Sequence, residues 1–102
     1  MDDLEICKRI ARIEYPLCAY EWTKGKCDLT LHGETYNPLT DDALCFRLMV
    51  KYKVELDFHR DVAEIYKCPE YNESTTATVV FNGNVNRAIC LAIIASKENQ
   101  DD

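Results

Sequence analysis

Asn86-Arg87-Ala88-Ile89-Cys90-Leu91-Ala92-Ile93-Ile94 is apolar on every side from Ala88 onward. A helical run of that kind leaves no face for water, so it predicts a helix from about Val85 to Lys97 that other elements cover all round. Asn82-Gly83-Asn84, just before it, is a turn and a start signal. The next stretch outward is Tyr36-Asn37-Pro38-Leu39-Thr40-Asp41-Asp42-Ala43-Leu44. Thr40 suits an N-cap, Asp41 and Asp42 suit the positive end of a macrodipole, and Leu39 and Leu44 are spaced for a hydrophobic staple. The expected buried stripe of this helix is Leu44, Cys45, Leu48 and Tyr52, with Met49 beside it. A further helix is expected over residues 2–14, where Leu4, Cys7, Ile10 and Ala11 keep helical spacing until Pro16 closes the element.

The remaining apolar runs are short. Residues 17–23 and 27–32 read as a hairpin across Thr23-Lys24-Gly25-Lys26, and 33–38 as a loop. In 54–59, apolar Val54, Leu56 and Phe58 alternate with Glu55, Asp57 and His59. Residues 62–67 and 75–81 supply two more strands, and 68–74 an exposed connection. The expected order is α-β-β-α-β-β-β-α. That is an α+β domain over residues 1–97, with an antiparallel sheet of about five strands packed with three helices. Residues 98–102 are expected to be a disordered acidic tail.

A chain of 102 residues holds one core. It has no apolar run of the roughly 18 residues a membrane span needs. Acidic residues follow Met1, where a secretory leader carries positive ones, so a cytoplasmic setting is expected. The formal charge of -6 disfavours direct binding to nucleic acid, and a DNA mimic would need a denser carboxylate array. The six cysteines include no Cys-x-x-Cys pair. They read as free thiols in a reducing compartment rather than a zinc site, with Cys7, Cys45 and Cys90 on apolar helix faces.

Tyr36 to Ala43, followed by a helix and a strand, and then Asn86 to Ala92 near the end, resembles the NinX-like phage proteins, which carry a phage alpha-beta-alpha sandwich domain. The likeness is good over Tyr36 to Val54 and Arg87 to Ala92, loose across the first helix and poor in the hairpin. It implies a small phage or prophage accessory protein in the cytoplasm of a host cell, and it implies no catalytic residues or cofactor.

Chemistry-bearing residues are few. Asn84, Asn86 and Arg87 sit at a helix start, where free N–H groups and a guanidinium attract a phosphate or carboxylate. The alternative is that Asn84 or Asn86 caps the helix and Arg87 pairs with a carboxylate. Arg60 is a second candidate anion-binding cation. Trp22 and Tyr36 belong to an aromatic group near the first hairpin that suits binding or core packing. His32 and His59 lie on polar strand faces with Asp28, Glu55 and Asp57; they offer a conceivable acid/base or metal group, or a solvated sheet face. No nucleophile elbow, Walker loop or dinucleotide fingerprint is present.

The expected function is therefore non-enzymatic binding of a host component: counter-defence by blocking a host protein or by sequestering a nucleotide-like signal. Blocking requires an exposed aromatic or acidic patch. Sequestering requires a pocket lined by Arg87 or Arg60 and a tyrosine. A small enzyme using His32 and His59 is the second class. A structural subunit is the third, a homo-oligomer joined through the small side of the last helix at Ala88, Ala92 and Ala95.

Overall fold

The computed structural model describes residues 2–15, 28–29, 34–66 and 75–100. Along the chain lie α1 (Asp3–Glu14), β1 (Asp28–Leu29), β2 (Glu34–Thr35), α2 (Asp42–Lys51), β3 (Glu55–Asp57), β4 (Val62–Tyr66), β5 (Thr75–Val80) and α3 (Val85–Gln100). The all-round apolar sequence of α3 places it at the centre. One side lies on β4 and β5, and α1 and α2 pack on the others. Ala88, Ile89, Cys90, Ala92, Ile93 and Ile94 are all buried, and Ile6, Ile10, Ala11, Cys45, Leu48, Ala63, Ile65, Ala77 and Phe81 close the same core around them. Burial of each large aliphatic chain contributes about 1.5–3 kcal/mol. Of the dimer contact expected through Ala88, Ala92 and Ala95, the first two therefore face the protein's own fold and Ala95 is half-buried.

Among the described residues a single sheet of about five strands does not form. The main sheet has three antiparallel strands in the order β3-β4-β5, and β1 and β2 make a separate two-residue ladder. The layered body therefore reads α-α-β-β-β-α, with the small ladder apart from it. In that ladder Asp28 pairs with Thr35 and Leu29 with Glu34, so part of the expected 33–38 loop is a strand. The other expected partner, 17–23, lies outside the described residues. The physical reason for the overcount is that alternation marks a chain as extended and one-sided without naming the strand it pairs with.

Register in the main sheet sets its two faces. Leu56, Ala63 and Val79 lie side by side, and Ala63, Ile65 and Ala77 belong to the core under α3. On the opposite face Glu55 stands across from Glu64, and Val62 lies between Asp57 and Val80. Strand β3 stops at Asp57 because that side chain takes over the backbone: its Oδ1 accepts the N–H groups of His59 and Arg60 at 3.0 and 3.1 Å. Asp61, at φ 60°, completes the turn. Phe58 is thereby lifted off the apolar face expected for it.

Three caps fix the helix starts. Asp2 accepts the Glu5 N–H at 2.8 Å, and Asn84 accepts the Arg87 N–H at 3.0 Å. The cap of α2 is Asp41, which accepts the Leu44 N–H at 3.1 Å, and not Thr40. Asn37 is the cause. Its side chain takes the Leu39 N–H and its carbonyl takes those of Thr40 and Asp41, so Thr40 is spent in a turn. At the other end α3 runs past Lys97 to Gln100, through residues expected to belong to the acidic tail.

Candidate functional site

The residues proposed to hold an anion at the start of α3 are used by the fold. Asn84 is the cap. The Asn86 amide donates to the Leu39 carbonyl at 3.2 Å and to Asp42 Oδ1 at 2.8 Å, tying the starts of α3 and α2 together. The Arg87 guanidinium lies 3.6 Å from Asp3 on α1. Tyr36 is 6% exposed and sits edge-on to Tyr15, so it serves the core and presents no binding surface. Trp22 and His32, and with it the expected pairing of His32 with His59, lie outside the described residues.

The thiols of Cys7, Cys45 and Cys90 are free and buried, as the apolar positions demand. Cys7 donates to Asn37 Oδ1 at 3.4 Å and Cys45 to the Asn86 carbonyl at 3.8 Å. Contact with the Cys45 thiol, together with burial, pushes Cys90 far above the ordinary thiol range and makes it unreactive. Among the described residues no group of three His, Cys, Asp or Glu side chains is placed to hold a metal ion.

The outer face of the sheet carries the feature that the fold does not consume. Glu55, Leu56, Asp57, Phe58, His59, Glu64 and Tyr66 line an open concavity of about 440 Å³. Its floor is Glu64, 4% exposed on the central strand, a placement that an isolated carboxylate tolerates only with a partner. Arg60 supplies it. The guanidinium folds back from the turn to within 2.5 Å of Glu64 Oε1 and 3.7 Å of Asp57 Oδ2. Three carboxylates thus line the concavity, Arg60 pairs with two of them, and Glu55 is left exposed and unpaired among the described residues. Loss of hydration and the nearby charges of Glu64 and Glu55 raise the Tyr66 phenol, which stays a neutral donor at physiological pH.

Phe58 rims this concavity with 71% of its surface exposed, although its ring lies 5.4 Å from that of Phe81. Val80, on the same sheet face, is 61% exposed. His59 is exposed beside it, without a carboxylate partner within ion-pair distance among the described residues. The alternation of 54–59 points to this face in the sequence, and Glu64 is legible there only as a lone acid in Val62-Ala63-Glu64-Ile65-Tyr66, four residues after an arginine. The exposure of Phe58 leaves no trace in the pattern.

No family model matches this chain, and no curated protein or solved structure does either. The described helices include none long and apolar enough to cross a membrane.

Proposed function

We propose that this protein works by binding, and that it blocks a host protein by docking its acidic, aromatic-rimmed sheet face on a basic surface. The observation that carries this reading is the exposed Phe58 ring beside the unpaired Glu55 carboxylate. A large apolar anchor with charges at its edge is the usual make-up of an interface centre. The concavity is shallow and its one guanidinium is committed to Glu64, so it suits a lysine or arginine side chain and repels a phosphate. Sequestration of a nucleotide-like signal at Arg87 or Arg60 is disfavoured because both guanidiniums sit on carboxylates of the fold. An enzymatic role at His59 lacks a second acid/base group held against it among the described residues. The phage or prophage setting rests on the resemblance of Tyr36 to Val54 and Arg87 to Ala92, and a cytoplasmic host setting follows from it.

Site-specific photo-crosslinking tests the proposal. A photoreactive phenylalanine analogue at position 58 should capture a host protein through a lysine- or arginine-rich surface. Glu55→Lys should abolish the capture, and an acidic replacement on the partner's mapped residue should restore it. Capture that is indifferent to Glu55→Lys would overturn the reading, as would a partner engaged only through α2.

A further inference from the structure

A second cavity lies between α1 and α3. Arg9, Arg12 and Ile13 of α1 and Ile94, Lys97 and Glu98 of α3 line a groove of about 270 Å³. Each helix contributes residues at i, i+3 and i+4, the spacing that puts three side chains on one face. The two isoleucines form an apolar floor, and cations stand on both walls. Arg9 is not available, since it bridges Glu5 at 3.2 Å and Glu98 at 2.7 Å and so pins the helices together. Arg12 is exposed and has no ion pair among the described residues. The Lys97 ammonium lies 5.3 Å from the centre of the Tyr52 ring and meets no carboxylate among the described residues. Two cations without an ion pair among the described residues therefore flank an apolar floor on a chain whose net charge is -6. Compensation of helix ends accounts for only part of this charge. A helix end carries about half a negative charge, and α3 continues for most of a turn beyond Lys97 to Gln100.

We propose that this groove binds a small organic anion with an apolar body: a phosphate or carboxylate held between Arg12 and Lys97, and a flat ring or short chain laid on Ile13 and Ile94. The volume fits a ligand of mononucleotide size. The charged group forms hydrogen bonds with the guanidinium fork and the ammonium, and the apolar part replaces water over the floor. This site is independent of the acidic sheet face and does not rest on its function.

Titration of the isotopically labelled protein with AMP, octyl phosphate and inorganic phosphate, followed by amide NMR shifts, tests it. AMP or octyl phosphate should move amides of residues 9–14 and 93–98. Tighter AMP binding indicates a nucleotide-type ligand, and tighter octyl phosphate an acyl-chain type; either supports the site. Arg12→Gln and Lys97→Gln should each weaken binding by about tenfold, the worth of one charge-assisted hydrogen bond. Arg47→Gln, on the exposed face of α2, should leave it unchanged. The proposal is overturned if none of the three probes moves those amides, if the shifts map elsewhere, or if inorganic phosphate binds as tightly as the other two. Equal binding by the double variant, with an intact spectrum, overturns it as well.

Discussion

Two tyrosines show how differently a buried phenol is treated within one core. Tyr52 donates its hydroxyl to Glu14 Oε2 at 2.5 Å, a carboxylate that also accepts from Lys51 at 2.6 Å. The Tyr36 hydroxyl is buried with no hydrogen-bond partner among the described residues. An unsatisfied buried hydroxyl costs about 1–3 kcal/mol, whereas removing it without a change of shape leaves the ring packing intact. Tyr36→Phe should therefore stabilise the protein by about 1 kcal/mol, read as a higher urea midpoint at an unchanged slope. Tyr52→Phe should destabilise it by a similar amount. Both phenols titrate above their ordinary value of 10.0: burial and then the Glu14 charge raise Tyr36, and burial and then the hydrogen bond to Glu14 raise Tyr52. A raised folded-state pKa means that the folded protein holds its proton after the unfolded chain has lost it. The stability from these groups is thus complete below about pH 10 and falls as pH rises beyond it. Urea melts at pH 8 and pH 11 should show that loss, and Tyr36→Phe should lose less.

At the scale of the element, caps decide where the helices begin, and each cap has a measurable worth. Asp41→Ala should cost about 1 kcal/mol and Asn84→Ala about the same, while Thr40→Ala should cost close to nothing. Equal losses at Thr40 and Asp41 in urea melts would contradict the cap assignment. The three helices were legible in the sequence because their signals are local: Asp2 and Asn84 stand one residue before periodic runs, and Ala88 to Ala95 is apolar all round. The Asp41 cap was displaced from Thr40 by Asn37, whose carbonyl and amide organise a turn that propensity alone does not reveal. The sheet was less legible, because which strands pair depends on distant partners. Residues 54–59 alternate to the end, yet β3 stops at Asp57 when the Asx turn takes its neighbours' N–H groups. The candidate sites follow the same division. The alternation of 54–59 placed His59 on the face that carries the acidic concavity, whereas the groove between Arg12 and Lys97 stayed hidden because no periodicity tells α1 that it will lie beside α3.

Across the whole molecule, contacts at both ends set the three helices side by side in one direction. Their starts meet through Arg87 and Asp3 and through Asn86 and Asp42, and their ends through Glu14, Lys51, Tyr52 and Lys97. Parallel macrodipoles repel, and the charge pattern offsets this: Asp2, Asp3, Asp41 and Asp42 gather at the positive ends and Arg12, Lys51 and Lys97 at the negative ones. With α3 shared by the sheet and by both other helices, no layer can leave without exposing it, so unfolding should be a single cooperative event. Ile93→Ala, at a fully buried position in the middle of α3, should cost about 2–5 kcal/mol. Val50→Ala, on the face of α2 where that residue is 58% exposed, should cost less than about 0.5 kcal/mol. Helical content by far-UV circular dichroism and core packing by near-UV signal should fall together in both variants. If Ile93→Ala separated the two transitions, the sheet and the helical layer would be independent units, and α3 would belong to only one of them.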